Sequence, residues 1–111
     1  MKASYPSKVQ TAVNALLTQP AVSTPALRQA IEAYAAGLGG GVRPAQEVPP
    51  ELVSYVKKVA LYAYKVTDED VQKLKEAGYS EDMIFEITLC ASLGASLGRF
   101  ERGLQALKGN E

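Results

Sequence analysis

The stretch Ser80 to Leu107, SEDMIFEITLCASLGASLGRFERGLQAL, decides the fold. Leu89, Leu93, Leu97, Phe100, Leu104 and Leu107 recur at steps of four and three residues, one bulky stripe on a 3.6-residue repeat. Cys90, Ala91, Gly94, Ala95 and Gly98 draw a second line of small side chains close beside it. A glycine inside a helix costs roughly 1 kcal/mol relative to alanine, and close approach of another backbone is the expected return. The bulky stripe is therefore expected to fill the core. The small line, Ala91, Gly94, Ala95 and Gly98, is expected to be the seam against a second copy of the chain.

Working outward, Ser80 followed by Glu81 and Asp82 predicts the start of this helix. Upstream, Thr67-Asp68-Glu69-Asp70 is a capping box with Asp in place of Glu. It opens a short helix that turns Val71, Leu74 and Ala77 inward and stops at Gly78 in a left-handed cap. Pro49-Pro50 starts a helix from Glu51 to about Lys65, with Leu52, Val56, Val59 and Ala63 on one face and Tyr55 and Tyr62 alongside. Near the N-terminus, Val9, Val13, Leu16 and Leu17 predict an amphipathic helix over 6–18, closed by Gln19-Pro20, behind a frayed end at 1–5. Thr24 as N-cap and Pro25 at the first helical position open another, whose inner face holds Leu27, Ile31 and Tyr34. Gly37-Leu38-Gly39-Gly40-Gly41 stops it as a flexible end, and 42–49 continues as loop. No segment alternates apolar and polar residues as a strand does. The expected fold is all-α, about five helices in a single domain over 1–111.

Composition narrows the function classes. Apolar residues make up 47% and charged residues 22% of 111, an ordinary globular balance. Twelve basic residues meet 12 acidic ones, so no electrostatic footprint for nucleic acid or an anionic membrane is expected. There is one cysteine and no histidine, which excludes an intrachain disulfide, the usual zinc sites and an imidazole base. No cofactor motif is present: the glycine run has the wrong spacing for a dinucleotide loop and no Gly-Lys-Ser/Thr follows. The start of the chain has no apolar signal region, and the longest apolar run, Val59 to Tyr64, is too short to span a bilayer. A soluble, cytoplasmic protein in a reducing compartment is expected.

Three kinds of residue invite chemistry. Cys90 would need a lowered pKa to act as a nucleophile, yet it lies mid-helix, with no cation within the adjacent turns of its own helix. Inert packing among small residues is the reading favoured over a peroxidatic thiol. Glu47 and Glu51 flank Pro49-Pro50 and are candidate acid or base groups, whereas Asp68, Glu69, Asp70, Glu81 and Asp82 sit where helix starts favour acid. Arg99, Glu101 and Arg102 form a charged cluster suited to a solvated face, a subunit-edge ion pair or an anion held between subunits. Tyr55, Tyr62 and Tyr64 are expected to be core and interface material.

The segment Pro50 to Leu107 resembles the second half of the alkylhydroperoxidase-like, or carboxymuconolactone decarboxylase-like, family. Tyr62-Ala63-Tyr64-Lys65, Val66 to Val71, Leu74, Ala77 to Asp82, Ile84, Glu86-Ile87 and an alanine-rich helix with Arg99 carry the likeness, over roughly half the chain. The resemblance implies an all-helical subunit that assembles into dimers, trimers or larger rings. Active relatives carry a Glu, then Cys-x-x-Cys and a nearby His, on and before a helix preceding the matched part. Here that helix is 24–36, and it has neither Cys nor His, so the family's peroxidase chemistry is not implied. The expected role is a non-catalytic, oligomer-forming binding or scaffold subunit. The rivals are a diverged small enzyme using Cys90 or a carboxylate, and a partner of another polypeptide that supplies the missing residues.

Overall fold

Residues 5–109 are described by a computed structural model, and their order is α1 (Ser7–Thr18), α2 (Pro25–Leu38), α3 (Pro50–Tyr62), a 3-10 turn (Ala63–Lys65), α4 (Asp68–Glu76) and α5 (Glu81–Lys108). No strand occurs among the described residues, so the fold is all-α as expected. The helix starts follow local rules. Thr24 accepts from the Leu27 amide with Pro25 behind it, Ser80 accepts from the Met83 amide, and Thr67 and Asp70 close a reciprocal capping box. Gly78 adopts φ 103° and ends α4 with Tyr79 N–H donating to the Leu74 carbonyl and Gly78 N–H to Lys75.

The chain folds around the α2–α5 pair, and here the two faces of α5 exchange the roles expected of them. The small line is buried within the subunit: Cys90, Ala91, Gly94, Ala95 and Gly98 all lie against other parts of the same chain. A Cβ added at Gly94 would stand 3.0 Å from Ala35 Cβ and closer to the Glu32 carbonyl, and one at Gly98 would stand 2.9 Å from Ala36 Cα. The neighbour that the glycines admit is thus α2, not a second copy. Ala91, Gly94, Ala95 and Gly98 are corrected from an intersubunit seam to the central helix crossing. The physical reason is that α2 presents two small residues of its own at the contact, Ala35 and Ala36, both buried.

The glycine run completes this crossing instead of hanging free. Gly40 adopts φ 99°, and Gly41 and Gly40 return hydrogen bonds to the Ala36 and Gly37 carbonyls, ending α2 tightly. Gly39 and Gly41 then press on the α5 backbone at Ala95 and Gly98, where a Cβ would lie 2.7 and 2.8 Å from backbone atoms.

Around this pair, α3 contributes Leu52, Tyr55, Val56, Val59 and Ala60 to a core shared with Ile31, Ile84 and Ile87, and α4 adds Leu74. Helix α3 tightens into the 3-10 turn earlier than its apolar pattern suggests. Tyr62, Ala63 and Tyr64 are consequently exposed and leave the core to Tyr55. Helix α1 rests on α2 through Leu16 and Leu17 and has no fully buried residue. The frayed end expected at 1–5 lies, for residues 1–4, outside the described residues. Tyr5 is held: its hydroxyl donates to Glu101 at 2.7 Å and its ring stands 5.4 Å from Phe100.

The bulky stripe, expected inside, is largely outside. Leu89 is 39%, Phe100 48% and Leu107 80% exposed, and Phe85 joins them at 64%. Helix α5 therefore turns a small face inward and a bulky face, interrupted by exposed Ser92 and Ser96, outward.

Candidate functional site

The same crossing that seats Gly98 on Ala36 brings two carboxylates together. Glu32 lies one helical turn before Ala36, and Glu101 nearly one turn after Gly98. The chain leaving Gly41 then lays Arg43 between them. Its guanidinium donates from Nε to Glu32 Oε1 at 3.2 Å and from Nη2 to Glu32 Oε2 at 3.1 Å. It also donates to both Glu101 oxygens, at 2.6 and 2.7 Å, so each carboxylate receives a forked pair. The remaining N–H donates to the Val42 carbonyl at 2.9 Å. These groups floor a cleft of about 410 Å³ between α1, α2 and α5, walled by Val13, Leu17, Val42 and Leu97.

The electrostatics of this cluster oppose acid-base work. Hydrogen bonding from Arg43 holds the Glu101 carboxyl below its ordinary value, with a further bond from Tyr5. Burial, then the bond to Glu101, pushes the Tyr5 hydroxyl up to about 12. The bond to Glu101 raises Arg43 well above its usual range against the opposing effect of burial. A general base or acid needs a pKa near working pH, and these shifts move Glu101, Tyr5 and Arg43 away from it. The cluster is an ion lock.

Of the charged and thiol residues singled out from sequence, Glu101 alone lies in this cleft. Cys90 is fully buried, and burial raises its thiol to about 11 despite an opposing field from Arg28. That cation comes from α2 and not from Cys90's own helix. Its guanidinium donates to the Gln19 carbonyl at the end of α1, while its Nε has no partner among the described residues. Glu47 is exposed in the loop before α3. Glu51 accepts from the Tyr79 hydroxyl at 2.8 Å, and its own backbone N–H, then that bond, lower its pKa. Arg99 donates to the Ala60 carbonyl in the last turn of α3, where unpaired carbonyls favour a cation. Arg99 thus ties α5 to α3, while Glu101 from the same cluster belongs to the ion lock.

Glu86 performs a linking task of its own. It receives the Val22 and Ser23 amides at 3.1 and 2.8 Å, with the Ser23 hydroxyl also donating. Burial works to raise its carboxyl, but the bonds from Ser23 and Val22 prevail and lower it. Among the described residues, no group of three or more His, Cys, Asp or Glu side chains is arranged to hold a metal ion.

Arg43 and Glu32 escaped the sequence reading because neither belongs to a motif. The usable signal was Glu32 itself, a carboxylate between Ile31 and Ala33 on a helix with little polar face, which requires a buried partner. Comparison with protein families, curated proteins and solved structures found no match to this chain.

Proposed function

We propose that this chain is a non-catalytic helical subunit of the alkylhydroperoxidase-like type, working in the cytoplasm through self-association. The observation that carries the reading is the outward row Phe85, Leu89, Phe100 and Leu107 on α5. The row runs from residue 85 to residue 107 of α5, about 33 Å at 1.5 Å per residue. With a helix width of about 10 Å, that stripe, broken by exposed Ser92 and Ser96, amounts to roughly 300 Å² per copy, the size of the largest patch on many monomers and often a functional one. Two such faces bury about 600 Å², the scale of a weak, reversible pair at most. The four row residues carry no charge and the whole chain has zero net charge, so two copies meet without repulsion and a two-fold arrangement pairs the row with itself.

Sedimentation velocity across a concentration series tests this. Wild type should pass from monomer to dimer, and Leu89→Glu with Phe100→Glu should stay monomeric with an unchanged circular dichroism spectrum. A wild type that remains monomeric throughout, or a variant that still pairs, refutes the proposal.

A further inference from the structure

We propose that the cleft between α1 and α5 binds a small organic cation with an apolar body, of the aryl-alkylammonium class, through the unneutralised charge shared by Glu32 and Glu101. The two carboxylates face one guanidinium, leaving one negative charge in excess. Among the described residues no second cation lies within ion-pair distance of either. The Glu32 side chain is only 6% exposed, so this excess sits where burial makes charge costly.

Donor and acceptor supply decides the sign of the ligand. A guanidinium has five N–H donors, and those of Arg43 are all committed: two to Glu32, two to Glu101 and one to Val42. The four carboxylate oxygens offer about eight lone-pair sites, more than Arg43 and Tyr5 occupy. An anion entering here meets like charge and no free guanidinium N–H. A neutral apolar molecule covers the cluster and worsens its desolvation. An ammonium group supplies both the missing charge and the missing donors. Val13, Leu17, Val42 and Leu97 form the hydrocarbon wall for the rest of the molecule, and about 410 Å³ suits a single-ring compound. Helix α1 makes one side of the cleft yet has no fully buried residue, so a ligand bridging it to the ion lock should steady it.

The inference stands apart from the pairing of α5 and is tested on the same wild-type protein. Phenethylammonium, 2-phenylethanol and 3-phenylpropionate share a ring and differ in charge. Each is titrated while amide chemical shifts and hydrogen exchange are followed. Phenethylammonium should give saturable shifts around Val13, Val42 and Leu97 and slow exchange in α1, with the alcohol and the carboxylate at least about tenfold weaker. Glu101→Gln, which keeps the size and removes the excess charge, should weaken the ammonium by a similar factor. Equal binding of the alcohol, absence of saturable shifts at the cleft, or an unaltered Glu101→Gln affinity overturns the proposal. The charge series alone decides the matter should that variant misfold.

Discussion

Replacing Gly98 by alanine puts the α2–α5 crossing to a direct test, because the same change at Gly103 on the same helix should act with the opposite sign. In an unobstructed helix interior, alanine is favoured over glycine by about 1 kcal/mol. Gly103 is exposed and a Cβ there meets nothing within 4 Å, so Gly103→Ala should gain up to about that amount. At Gly98 the added Cβ would overlap the Ala36 carbonyl and stand 2.9 Å from Ala36 Cα. Those are backbone atoms, so no rotamer change relieves the overlap, and α2 must move away from α5. Overpacking costs about 1–3 kcal/mol, and a backbone obstacle places this case at or above the upper end. Subtracting the propensity gain leaves a net loss of about 2 kcal/mol or more. At about 4 °C per kcal/mol, the melting temperature should fall by roughly 8 °C. Urea unfolding followed by circular dichroism, at one fixed protein concentration, checks both variants. A Gly98→Ala protein as stable as Gly103→Ala would mean that α2 does not rest on Gly98, and the packing argument would fail with it.

Other expectations follow from the same contacts. Arg43→Met strands the largely buried Glu32 and Glu101 carboxylates and should cost about 3–5 kcal/mol in urea unfolding. The double variant Arg43→Met with Glu32→Met should cost less than the two single losses added. Glu101 has a folded-state pKa below its ordinary 4.5, so its stabilising contribution is complete above that value and disappears as pH falls through the lower folded one. Glu101→Gln should therefore flatten the acid limb of the stability curve in part, since Glu51, Asp70, Glu81 and Glu86 are also lowered. Cys90, raised from 9.0 to about 11, destabilises the fold as pH climbs above 9 toward 11, and below that range it should react with a thiol reagent no faster than the subunit opens. Labelling at the rate of free cysteine in native buffer would contradict its burial.

The capping residues were readable because their physics is local. Thr24 with Pro25, the Thr67–Asp70 box, Gly78 and Ser80 each set a helix end with bonds to residues at most five positions away. The phase of α5 was readable too, but not which neighbour each face meets. A line of Gly and Ala announces that a backbone comes close, and it announces this equally for a helix of the same chain or of another. The information that resolves it sits on α2, where the small pair Ala35-Ala36 follows Glu32 by one turn and meets the two glycines. Reading α2 as a partner for the small line would have placed the bulky stripe outside. Arg43 was out of reach for a different reason. It stands 11 positions from Glu32 and 58 from Glu101 in a loop without periodicity, so only the tertiary fold unites them.

Helix α5 also bears on how this chain meets its surroundings. By length and composition it is the one described helix able to cross a membrane, with an 18-residue window of mean hydropathy 1.3, and 44% of that window is buried in the subunit. Three of the interrupting charges have partners in this fold: Glu86 holds the amides of Val22 and Ser23, Arg99 the Ala60 carbonyl, and Glu101 the Arg43 guanidinium. Moving α5 into lipid would strip each of these while freeing two glycines whose closest contacts are α2 backbone and Ala35. Small residues also line helix contacts inside membranes, so texture alone does not distinguish the two settings. The charged tethers reach three different parts of this subunit: the link before α2, the end of α3 and the loop carrying Arg43. Under the proposed self-association, pairing through the outer row leaves every one of these tethers in place, whereas passing α5 through a bilayer would break them.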